Sequence, residues 1–74
     1  MKINTIGRIT SGSMQNWYII IKDDSENTGG YLVIQSPNID ISSDGYDNWF
    51  EKIEEVVQYI QSNNIKIEWS LRLP

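Results

Sequence analysis

Asp44-Gly45-Tyr46-Asp47-Asn48-Trp49-Phe50-Glu51-Lys52-Ile53-Glu54-Glu55-Val56-Val57-Gln58-Tyr59-Ile60-Gln61 is the stretch whose reading decides the fold. At about 100° per residue, Tyr46, Trp49, Phe50, Ile53, Val56, Val57 and Ile60 gather on one side, and Asp47, Glu51, Glu54, Glu55 and Gln58 on another. That pattern predicts one amphipathic helix running from about Asn48 to Gln61, with an apolar face for a sheet and an acidic face for water. Asn48 followed three residues later by Glu51 fits a capping box, and Asp44 and Asp47 also stand where a helix start favours an oxygen or a negative charge. On that placement Glu54 and Glu55 lie past the first turn, where capping does not account for them. Asn63-Asn64 supplies a left-handed stop.

Outward from the helix, every other segment reads as strand or turn. After it, Ile65, Ile67, Trp69, Leu71 and Leu73 alternate with Lys66, Glu68, Ser70 and Arg72, the pattern of a half-buried strand with one wet face. Before it, Asn16 to Lys22 and Gly30 to Gln35 are aromatic and β-branched on both faces, as central strands are. Asp23 to Gly30 is a polar hairpin loop, and Ser36-Pro37 ends the strand before it because proline cannot donate to a ladder. Lys2 to Ser11 reads as a first strand in which Gly7 breaks the alternation of Ile3, Ile6 and Ile9, and a bulge at Gly7 would explain the break. Ile39-Asp40-Ile41 is too short for more than a bridge or an edge piece.

The order β-β-β-α-β predicts one α+β domain over 1–74: an antiparallel meander, one helix packed on one face, and a C-terminal strand returning to the sheet. Trp49 and Ile53 should then pack on Ile67 and Trp69, while Trp17 fits either core or surface. One helix covers one side of a sheet. Some combination of Tyr18, Ile20, Tyr31 and Val33, or of their alternate neighbours, should therefore lie on an open face.

Composition bears mainly on chemistry. The 74 residues include no cysteine and no histidine, which removes disulfides, thiolate chemistry, the commonest general base and the commonest transition-metal ligand. No apolar run approaches a membrane span, the first residues lack the apolar core of a signal peptide, and a cysteine-free chain suits a reducing cytoplasm. Serines have no histidine partner, and the acids of a short hairpin loop have no burial to separate their pKa values. The Asp23–Asn27 loop is oxygen-rich but does not follow the spacing of a calcium-binding loop. No catalytic residue, cofactor or metal site is expected. A net charge of −4 disfavours nucleic acid and favours a basic protein partner. The residues expected to meet that partner are Asp23, Asp24 and Glu26 in the loop and Asp47, Glu51, Glu54 and Glu55 on the helix. A homodimer through the open sheet face is the alternative.

Read together, Gly7-Arg8-Ile9-x-Ser11-Gly12, Trp17, Asp23-Asp24, Thr28-Gly29-Gly30-Tyr31-Leu32, Gly45-Tyr46-Asp47-Asn48-Trp49 and Ile67-Glu68-Trp69 resemble small acidic bacterial immunity proteins of polymorphic toxin systems. The resemblance spans nearly the whole chain and rests on Gly, Trp and Asp positions without diagnostic chemistry. It implies a cytoplasmic, single-domain inhibitor of one cognate toxin, with function in a protein interface and no catalytic residues to carry over.

Overall fold

The computed structural model describes residues 1–41 and 45–69. Five strands and one helix follow in the order β1 (Ile6–Ile9), β2 (Tyr18–Asp24), β3 (Gly30–Ser36), β4 (Tyr46–Phe50), α1 (Ile53–Ser62) and β5 (Ile67–Glu68). The sheet order is β4-β3-β2-β1-β5, and every neighbouring pair is antiparallel. The α+β class, the meander and the single helix on one face are as the sequence predicts, with one strand more.

That extra strand is a correction. Tyr46–Phe50 does not open the helix; it pairs residue by residue with Tyr31–Gln35, from Tyr31 opposite Phe50 to Gln35 opposite Tyr46. Its residues sit at i, i+3 and i+4 for a helix, but Tyr46, Asn48 and Phe50 also alternate with Asp47 and Trp49 for a strand. Aromatics favour strands, and pairing satisfies the backbone groups that β3 would otherwise expose along its edge. The helix therefore starts at Ile53, and its cap is built one turn later than Asn48–Glu51. Lys52 is extended, its N–H donates to the Glu55 carboxylate at 2.9 Å, and its carbonyl accepts the Glu55 N–H at 3.1 Å. The far end is as expected. Asn64 takes a φ of 53°, with Ile65 N–H bonded to Ile60 and Asn64 N–H to Gln61, which is a Schellman stop.

Smaller corrections follow from local pairing. The Gly7 bulge is absent, because Ile6, Gly7 and Arg8 face Ile20, Ile19 and Tyr18 in unbroken register. Gly7 instead accommodates a close approach: a methyl placed on it would meet Ile67 Cγ2 at 2.6 Å and Trp69 Cε3 at 2.9 Å. Ile39–Ile41 lies in bends and a turn rather than a strand. The paired part of the last strand is Ile67–Glu68; its expected continuation over Ser70, Leu71, Arg72 and Leu73, and the expected capping role of Asp44, lie outside the described residues.

One face of the sheet carries the core. Ile9, Ile19, Ile21 and Val33 are buried there with Val56 of α1. Tyr59 of the helix packs on Phe50, with ring centroids 5.3 Å apart, and its hydroxyl donates to the buried Gln35 Oε1 at 3.0 Å. Trp69 and Ile53 pack at the margin of this core. Trp49 does not, since strand alternation puts it on the opposite face, 47% exposed.

Candidate interaction surfaces

Two surfaces stand out, and the sheet register builds both. The first is an acidic edge. Asp24 pairs with Gly30 and Tyr31 with Phe50, so the β2–β3 hairpin tip lies beside the end of β4 and the start of α1. Asp23, Asp24 and Glu26 of the hairpin are thereby brought to the same end of the molecule as Glu51, Glu54 and Glu55. Asp47 is separated from them, because it points from β4 onto the sheet face away from the helix.

Several of these acids already hold local structure. Asp23 accepts the Ser25 N–H at 3.0 Å, while its own N–H donates to the Asn4 side chain at 3.1 Å. Hydrogen bonds from the Ser25 hydroxyl and then from its N–H hold the Asp23 carboxyl below the ordinary aspartate value of 3.8. The Asp24 side chain accepts from Asn27, and its carbonyl accepts from Asn27 and Thr28. Glu55 closes the helix cap, and both Glu54 and Glu55 lie in the first turn, where the helix dipole favours negative charge. Capping thus accounts for Glu55, contrary to its expected position past the first turn. Glu26, Glu51 and Glu54 are exposed to solvent.

The second surface is the open sheet face. Register and alternation place Ile6, Ile20, Ile34 and Asp47 in one row across β1 to β4. Lys22, Leu32 and Trp49 form the row beside it, and Glu68, Arg8, Tyr18 and Ser36 the row on the other side. Arg8 and Glu68 form an ion pair at 3.5 Å, both about half exposed. The helix contacts β3 and β4 from the core side, and no helix or strand among the described residues lies over this face. Of the expected open set, Tyr18 and Ile20 lie here, joined by Leu32 and Ile34, the alternate neighbours of Tyr31 and Val33.

The sequence reading missed the position of Trp49. Its indole lies over Gly30, where a β-carbon would come within 2.7 Å of the ring, and its Nε1–H donates to Thr28 Oγ1 at 2.8 Å. The signal was Gly30 at the start of the third strand, since a glycine inside a strand leaves room for a cross-strand aromatic. It also missed a second pairing: Trp17 stacks on Tyr46 with centroids 5.9 Å apart and planes 3° from parallel.

Among the described residues, no three carboxylates are grouped to hold a metal ion. A largely apolar groove of about 240 Å³ runs between α1 and β5, lined among the described residues by Met1, Val57, Ile60, Gln61, Ile65, Ile67 and Trp69. No helix among the described residues is long and apolar enough to cross a membrane. The chain matches no protein-family model, no curated protein and no solved structure.

Proposed function

We propose that this chain is a non-enzymatic protein-binding module, an inhibitor or immunity-type protein whose acidic edge receives a basic protein partner in the cytoplasm. The observation that carries the reading is the convergence of the hairpin acids with Glu51 and Glu54 at one end of the sheet, through the pairing of Tyr31 with Phe50. Acids gathered on one edge steer a basic partner and raise its association rate. The groove between α1 and β5, walled by Val57, Ile60, Ile65 and Ile67, offers further apolar contact for a partner.

The test leaves out Glu55, whose carboxylate caps the helix. Wild type and a Glu26→Lys/Glu51→Lys/Glu54→Lys variant serve as matched baits for a basic partner, and binding is measured across ionic strength. The variant should bind at least ~10-fold more weakly, a loss of about 1.4 kcal/mol, with a flatter salt dependence. Equal affinity and equal salt slopes for the two baits would remove the acidic edge from the interface.

A further inference from the structure

The helix side of the sheet holds a small polar cavity, at the end of β3 away from the acidic edge. Gln35 stands there, opposite Tyr46, while Tyr31 at the other end of the ladder faces Phe50. The Gln35 side chain is 1% exposed. Its Oε1 accepts the Tyr59 hydroxyl at 3.0 Å, and its Nε2 donates to no group among the described residues. No fully buried side-chain nitrogen or oxygen among them lacks a partner, so Nε2 keeps its remaining access through the cavity that Gln35 lines. The cavity measures about 110 Å³ and lies between the β1–β2 loop, the end of β3 and the second half of α1.

Hydrogen bonds hold its walls in place. Ser11 Oγ donates to the Asn64 carbonyl at 3.2 Å and the Thr10 N–H to the Lys66 carbonyl at 2.8 Å, which ties the loop to the chain leaving the helix. Asn63 Nδ2 donates to the Tyr59 carbonyl at 2.8 Å, which leaves Oδ1 as the accepting end of that amide. Asn63 and Ser13 are both exposed and form the mouth; Ile9 and Met14 supply apolar wall. No acidic or basic side chain lines the cavity among the described residues. A charged ligand would give up its water there and gain no counter-charge. An apolar ligand would leave the Gln35 amide unpaired.

We propose that this cavity is a binding subsite for a neutral carboxamide group. Its carbonyl oxygen accepts from Gln35 Nε2 inside, and its N–H2 donates to Asn63 Oδ1 at the mouth. A carboxamide carries one acceptor and one donor group on a planar head, and the cavity offers one of each in return. Size agrees with chemistry. At about 30 Å³ for each water in the liquid, the cavity has room for roughly four non-hydrogen atoms, the size of acetamide or of the end of an asparagine side chain. Walls fixed in advance lower the ordering cost of binding so small a group. The subsite does not depend on the acidic edge and stands whether or not that edge receives a basic partner.

Acetamide titrated into nitrogen-15-labelled protein, up to roughly 0.5 M, tests it by NMR. Saturable shifts are expected at the Gln35 side-chain N–H2, Ser13 and Asn63, with a dissociation constant in the ~1–100 mM range of so small a ligand. Sodium acetate, the isosteric anion, should bind at least ~10-fold more weakly. Ser13→Trp puts bulk at the exposed mouth and should remove the shifts, and Gln35→Leu removes the donor and should do the same. Spectral dispersion shows whether each variant is folded, and Ser13→Trp alone decides the matter if Gln35→Leu is not. N-acetylasparagine methylamide binding more tightly than acetamide, and than its alanine counterpart, assigns the subsite to an asparagine side chain of a protein; tighter binding of acetamide assigns it to a free small amide. No saturable shift, acetate binding as well as acetamide, or shifts that persist in Ser13→Trp overturn the proposal.

Discussion

Gly7→Ala should destabilise this protein, and the sign of the effect is the informative part. Within a strand, replacing glycine by alanine ordinarily stabilises by about 0.5–1 kcal/mol, because glycine loses more backbone freedom on folding. At Gly7 the added methyl would point into the core side of β1, 2.6 Å from Ile67 Cγ2, 2.9 Å from Trp69 Cε3 and 3.2 Å from the Glu68 carbonyl oxygen. Carbon atoms pack best at about 3.5–4.0 Å, so the methyl must push Ile67 and Trp69 off β1 or pull β1 off the sheet. Overpacking of this kind costs about 1–3 kcal/mol. Set against the entropic gain, the net loss spans roughly 0–2.5 kcal/mol and centres near 1. In a domain of this size that lowers the melting temperature by roughly 4–8 °C per kcal/mol.

Thermal and urea unfolding followed by far-ultraviolet circular dichroism measure the loss, and a second background isolates its cause. In Ile67→Ala, the nearest contact is gone, so adding Gly7→Ala should cost about 1 kcal/mol less than it does in the wild type. A melting temperature that rises on Gly7→Ala would refute the reasoning, since it would mean that neither Ile67 nor Trp69 closes over the strand at that point.

Two more outcomes follow from where side chains lie. Trp49→Ala should stay folded: with the indole 47% exposed, burial of about half of ~200 Å² at ~25 cal/mol/Å² gives at most about 2.5 kcal/mol, against ~3–5 for a core tryptophan; a urea titration with no native baseline would contradict the open-face placement. The second concerns Asp23, whose folded pKa is depressed, so its contribution to stability is present above the ordinary value of 3.8 and lost as pH falls through the lower folded value. Ser25→Ala should raise the Asp23 titration midpoint toward 3.8, as read by carboxyl-carbon NMR, and a midpoint that stays put would show that the hydroxyl is not the cause.

The parts of the fold legible in sequence are those where periodicity and chemistry agree. Tyr18–Asp24 and Gly30–Ser36 are strands by composition, Pro37 ends one of them, and Asn64 stops the helix through a φ that asparagine tolerates. Tyr46–Phe50 was not legible, because its spacing satisfies a period of 3.6 and a period of 2 over so short a span. What separates the two is the partner strand, Tyr31–Gln35, and no local signal contains it. The acidic edge was legible as residue types and illegible as a site for the same reason. Only the pairing of Tyr31 with Phe50 brings the hairpin to the helix start, and only the strand state of β4 sends Asp47 elsewhere.

That one change of state redistributes charge as well as structure. As helix, Asp47, Glu51, Glu54 and Glu55 form a single stripe and Trp49 is core. As strand, Asp47 and Trp49 pass together to the open face, Asp47 into the row of Ile6, Ile20 and Ile34 and Trp49 into the row of Lys22 and Leu32. The acids that remain at the edge are then grouped without Asp47. Two surfaces of different character result, one a cluster of acids at the hairpin tip and the helix start, the other a sheet face with an apolar centre and charges of both signs. Glu54 lies on the first surface and Asp47 on the second, so Glu54→Lys should weaken association with a basic partner and Asp47→Lys should not. The measurement is the affinity of each variant for the same basic partner, and an equal loss from Asp47→Lys would return Asp47 to one acidic surface with Glu54.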